Sequence, residues 1–105
     1  MASFFLAEIE VIDREKYEGY IERVSRIVER YGGVYVFRSG SVFPVTGDWR
    51  PDRMILIRFN STGDMQRCFD SEEYRSIKHL REQSTRSRAI VVQDDETANK
   101  AIGGD

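Results

Sequence analysis

From Phe4 to Ile12 (FFLAEIEVI), the odd positions Phe5, Ala7, Ile9 and Val11 are all apolar, while the even positions Phe4, Leu6, Glu8, Glu10 and Ile12 are mixed. A period of two predicts a strand with one buried face and one apolar face interrupted by charge. Asp13 suits a helix N-cap, because its carboxylate can accept a free backbone N–H. Tyr17, Tyr20, Ile21, Val24, Ile27, Val28 and Tyr31 follow at steps of three and four, which predicts an amphipathic helix. Gly32-Gly33 ends it, since glycine accepts the left-handed conformation of a C-cap.

Val34 to Arg38 predicts a second strand, broken at Ser39-Gly40. Ser41 to Val45 reads as a short extended edge or bulge containing Pro44, and Thr46 to Asp52 as a loop. Arg53 to Phe59 predicts a third strand, with Ile55, Ile57 and Phe59 on one face and Met54, Leu56 and Arg58 on the other. Ser61 or Thr62 can cap a second helical region through Met65, Cys68 and Phe69. It hitches at Asp70-Ser71 and continues through Tyr74, Ile77 and Leu80. Arg88 to Gln93 predicts the fourth strand.

The order β-α-β-β-α-β is the α+β, ferredoxin-like pattern: an antiparallel sheet, ordered 4-1-3-2, with its helices on one face. No element of the chain is left to cover Phe4, Leu6, Met54 and Leu56 on the other face. Soluble monomers rarely expose such a patch. The economical expectation is a homodimer packed sheet on sheet, with Glu8, Glu10 and Arg58 lining or rimming an inter-sheet cavity.

Composition narrows the class. The chain has 105 residues, 40% hydrophobic and 32% charged, which suits one soluble domain, read as residues 1–93, and a polar acidic tail, read as 94–105. The net charge of −2 gives no footprint for nucleic acid. No apolar run approaches the roughly 20 residues that span a membrane, and Phe4 to Ala7 is too short for a secretory signal. A cytoplasmic location is therefore expected, with Cys68 reduced. One cysteine excludes an internal disulfide, and one histidine beside it argues against a closed N/S zinc site. There is no glycine-rich phosphate loop and no supportable Ser-His-Asp set, so no cofactor or metal is expected.

Candidate site residues follow from these faces. Glu8 and Glu10, about 7 Å apart by the strand rise, can pair with Arg58 or Arg38, rim a dimer cavity, or hold a polar ligand. Trp49, in a loop with Gly47 and Pro51, is placed at a pocket wall or the dimer interface. Arg81 lies at the edge of the Tyr74-Ile77-Leu80 stripe, in reach of a carboxylate at the sheet edge. His79 falls off that stripe and is read as exposed and idle. Cys68 shares the spacing of Met65 and Phe69 and is read as packing. The tyrosines at helix spacing are read as core. The run Arg75, Lys78, Arg81, Arg86, Arg88 lacks interleaved aromatics and is read as a solvated face.

Several segments together resemble one family: the opening AEIEVID, the Tyr17/Tyr20 helix, Tyr31-Gly32-Gly33, Gly47-Asp48-Trp49-Arg50-Pro51, Ser71-Glu72-Glu73-Tyr74, and Arg81 before the closing strand. Over roughly residues 3–93 the chain resembles the domain of unknown function 1330 family of the dimeric α/β-barrel superfamily. The resemblance implies a ferredoxin-like subunit, a homodimer with facing sheets, and no established activity. Thr46 and Arg58-Phe59-Asn60 depart from the family pattern, in which a Glu and Glu-Phe-Pro are usual. The first functional expectation is a homodimer with a small-molecule cavity near the interface. The alternative is a small cofactor-independent oxygenase or isomerase acting on an aromatic or unsaturated metabolite, as elsewhere in the superfamily. Convergence of Glu8, Glu10 and Arg58 in a closed pocket would favour the enzyme.

Overall fold

A computed structural model describes residues 1–94 of the chain. The expected tail, residues 94–105, lies outside the described residues apart from Asp94. Alternation in the first segment gives β1 (Ser3–Val11). Asp13 caps α1 (Arg14–Arg30), accepting from the Lys16 N–H at 3.2 Å. Gly32 adopts φ 80° after the helix, and the Gly33 N–H reaches the Val28 carbonyl at 2.9 Å. The chain then enters β2 (Val34–Ser39), crosses an irregular loop, and returns as β3 (Arg53–Phe59). The extended piece expected at Ser41–Val45 is part of that loop rather than a strand.

The expected hitch divides the second helical region into α2 (Thr62–Asp70) and α3 (Glu72–Ser84). Ser71 joins them. Its hydroxyl donates to the Cys68 carbonyl at 2.7 Å and accepts from the Tyr74 N–H at 3.1 Å, serving the end of one helix and the start of the next. The last strand, β4, runs Thr85–Gln93, starting three residues before the expected Arg88.

The sheet order is β2-β3-β1-β4, with all three pairings antiparallel, as the pattern predicts. Ala7, Ile9, Ile57 and Phe59 meet Tyr17, Tyr20, Val24, Ile27 and Val28 of α1, and Met65, Cys68, Tyr74 and Ile77 of α2 and α3, in one core. Phe5, Phe69 and Tyr74 add tilted and edge-on ring contacts at 4.8 and 5.0 Å. Among the described residues no helix lies over the opposite sheet face. That face carries Leu6 between Leu56 and Ile90, Phe4 between Arg58 and Val92, and Glu8 between Met54 and Arg88.

Candidate functional site

Two places gather the residues that could carry chemistry, one on each face of the sheet. On the open face, Glu8 is the centre. The Trp49 indole N–H donates to Glu8 Oε2, and the Arg88 guanidinium donates to the same oxygen at 3.2 Å. The Trp49 hydrogen bond does most to hold the Glu8 carboxyl below its usual range; desolvation opposes it, and Arg88 adds to the lowering as donor and as charge. These three residues, with Leu6, Met54 and Ile90, line an open depression of about 260 Å³. Trp49 stays half exposed, and its loop leaves Phe43 and Val45 at 81% and 94% exposure.

The other charges expected beside Glu8 are not there. Arg58 pairs in register with Phe4, whereas Glu8 pairs with Met54, so Arg58 sits two same-face positions away. Its guanidinium donates to Asn60 at 3.0 Å. Glu10 is exposed, opposite Arg86. Arg86 and Arg88, expected on a solvated basic face, belong to β4, where they stand opposite the two glutamates. Glu8, Glu10 and Arg58 therefore do not converge.

Arg38 is a correction of another kind. The β2–β3 register shifts between Tyr35 and Phe37, so Tyr35 opposes Ile57, Phe37 opposes Leu56 and Arg38 opposes Ile55. The bulge flips the following residue to the other face. Arg38 accordingly lies on the helix side: its guanidinium stacks 4.0 Å from the Tyr35 ring centroid and donates to the Ser25 hydroxyl at 2.9 Å. Arg81 is on that side too. It donates to the Tyr74 hydroxyl at 3.1 Å rather than to a carboxylate at the sheet edge, and Tyr74 in turn bonds the Tyr20 hydroxyl at 3.0 Å.

Both arginines line a cavity of about 60 Å³ between α1 and the sheet. At the roughly 30 Å³ that a water occupies in the liquid, that volume corresponds to about two waters. Its walls are mainly apolar and aromatic: Phe5, Ala7, Ile9, Tyr17, Tyr20, Ile21, Val24, Tyr35, Ile55, Ile57, Phe69 and Ala89. A third guanidinium, Arg53, joins the lining and donates from Nε to the Tyr17 hydroxyl at 3.1 Å. Burial, followed by the neighbouring Tyr74, pushes the Tyr20 phenol far above its usual range. Burial also raises Tyr35, against the Ser25 hydrogen bond and the charge of Arg38. Both phenols are therefore hydrogen-bond donors near neutrality, not bases.

Arg53 and the tyrosine hydroxyls were not singled out from the sequence. The signal was there for Arg53, since it shares the odd-position face of Ile55, Ile57 and Phe59 and so had to end the core stripe in a charge. His79 is exposed, as expected. Cys68 is buried, and that burial, with the Glu73 charge, pushes its thiol up to about 11. Among the described residues, no group of three or more His, Cys, Asp or Glu could hold a metal ion, and no helix is long and apolar enough to cross a membrane.

No curated protein sequence matches the chain. Among solved structures, a protein of unknown function from Rhodopseudomonas palustris superposes with a TM-score of 0.78 at 18% identity, over 90% of this chain and 83% of that one. SnoaB, a cofactor-independent oxygenase from Streptomyces nogalater, matches with a TM-score of 0.64 at 10% identity, over 90% and 94%. An uncharacterized NIPSNAP domain protein from Burkholderia xenovorans matches with a TM-score of 0.61 at 7% identity, over 91% and 96%. At these identities the likeness is one of fold alone: an α+β subunit with a four-stranded antiparallel sheet. With its sequence matched from residue 2 to residue 95, the chain belongs to the family known as domain of unknown function DUF1330.

Proposed function

We propose that this protein is a homodimer, joined through the open sheet face, in which each subunit binds a small molecule in the cavity beneath α1. The observation that carries the reading is the cavity itself. Protein interiors pack as densely as organic crystals, and a core that keeps a space rimmed by hydrogen-bonding side chains has the form of a ligand site. The dimer is supported by apolar residues that none of the described elements covers: Leu6, Leu56, Ile90 and Val92 on the sheet, with Phe43 and Val45 on the loop beside it. A second copy would bury them together. The Trp49–Glu8–Arg88 group would then sit at the seam, its carboxylate already satisfied by two donors and so costing less to desolvate. A cytoplasmic setting suits the buried, unpaired Cys68 thiol.

The alternative, a cofactor-independent oxygenase or isomerase, draws support from the fold shared with SnoaB. The cavity favours binding over acid–base chemistry. No carboxylate or imidazole is among its lining residues, and its raised phenols stay protonated. The test is to purify the protein without denaturing it, unfold it, and identify what it releases by mass spectrometry. The expected result is a defined small molecule from the parent protein and a much smaller amount from Ile21→Phe, which fills the cavity. Equal release from both proteins, or none from either, would tell against a ligand beneath α1.

A further inference from the structure

Three guanidiniums line one small cavity, and each is held by a neutral oxygen: Arg38 by Ser25, Arg53 by Tyr17, Arg81 by Tyr74. Among the described residues the ion pairs lie elsewhere, at Arg30–Glu73, Arg67–Asp64 and Arg88–Glu8. Among the described residues no carboxylate lies within ion-pair distance of the three. A guanidinium offers five N–H donors in a fixed plane and stays charged at any physiological pH. Each of these three spends a donor on a hydroxyl that does nothing to neutralise it. Arg38 and Arg53 are also close neighbours by register. Arg38 opposes Ile55, and Arg53 is the next same-face residue along β3, which makes them a diagonal pair about 7–8 Å apart. Like charges gathered on an apolar wall repel one another, and an anion entering from solvent relieves that repulsion.

We propose that the cavity takes a compact monocarboxylate, with its apolar body among Tyr17, Tyr20 and Ile55 and its carboxylate on the guanidiniums of Arg38 and Arg53. This rests on the reading of the cavity as a ligand site and adds the class of ligand. Volume and lining set the class. Space for about two waters admits only a chain of two or three carbons, and the apolar walls reward carbon rather than hydroxyls. The planar fork of arginine matches a carboxylate. Arg81 fixes Tyr74 and, through it, Tyr20, so it serves as a positioning residue for the wall.

The test is an NMR titration of the full chain with propanoate and with its uncharged counterpart, propanamide. The acid is expected to shift the amides of Tyr17, Val24 and Ile55 saturably and to bind at least about tenfold more tightly than the amide, because a hydrogen bond to a charged group is worth that much. Its affinity should fall as salt rises, and that of the amide should not. Arg38→Gln and Arg53→Gln should each weaken the acid several-fold and leave the amide unchanged, with Arg53→Lys intermediate and Arg75→Gln silent. Equal affinity for acid and amide overturns the anion subsite while leaving the cavity a ligand site. Shifts confined to residues outside the cavity, or no shifts with either probe, overturn both.

Discussion

Gly33 follows the end of α1 with no room for a side chain. A Cβ there would lie 2.5 Å from Val28 Cγ1 and 2.9 Å from the Phe59 ring, both in the core. Gly33→Ala is expected to cost about 1–3 kcal/mol by overpacking, read as a lower urea midpoint at unchanged slope. Cys68 is governed by burial. With its thiol pushed up to about 11, it should resist alkylation at pH 8 in the native protein and label at once in urea; native labelling at the rate of a free thiol would contradict its placement. Glu8 supplies a pH dependence. Its folded pKa is lowered, so its contribution to stability is complete above the unfolded value, near 4.5, and is lost as pH falls through the folded one. Trp49 fluorescence should therefore change with a midpoint below 4.5, and Glu8→Gln should abolish that transition. Trp49 and Glu8 were each visible in the sequence as candidates. Their contact was not, because a loop residue has no register to count from.

At the scale of elements, the five core residues of α1 and the odd positions of β1 and β3 were legible because each repeats the period of its own structure against one core. Two boundaries were not. Thr85 to Arg88 has no apolar residue to mark a strand, so the pattern starts β4 only at Arg88, although Arg86 and Arg88 are exposed as the solvated basic face predicts. The bulge between Tyr35 and Phe37 leaves the strand composition unchanged while reversing its faces, and this moved Arg38 from the open face to the cavity. Ser71 is the element-scale joint that the sequence did locate. Ser71→Ala removes the cap of α3 and the donor to the Cys68 carbonyl, and should cost about 1 kcal/mol in chemical denaturation. Tyr74→Phe should cost about 1–3 kcal/mol, because it leaves the buried Tyr20 hydroxyl and an Arg81 donor without their partner.

For the whole molecule, the sheet has two differently finished faces. One is sealed by three helices around a core that keeps a cavity; the other mixes Leu6, Leu56 and Ile90 with Glu8, Arg58 and Arg88 and has none of the described helices over it. The open face was legible from the even positions of β1 and β3, where Phe4, Leu6, Met54 and Leu56 had no helix left to meet. The cavity was not, because a void arises from the shapes of a dozen side chains and leaves no pattern in any one segment. A second copy on the open face is the central claim, and light scattering at micromolar concentration tests it most directly. The parent protein is expected at twice the 12.2 kDa chain mass, and Leu56→Glu, which sets a carboxylate between the facing sheets, at the monomer mass with its helical circular dichroism retained. A parent protein that scatters as a 12.2 kDa monomer would contradict the account.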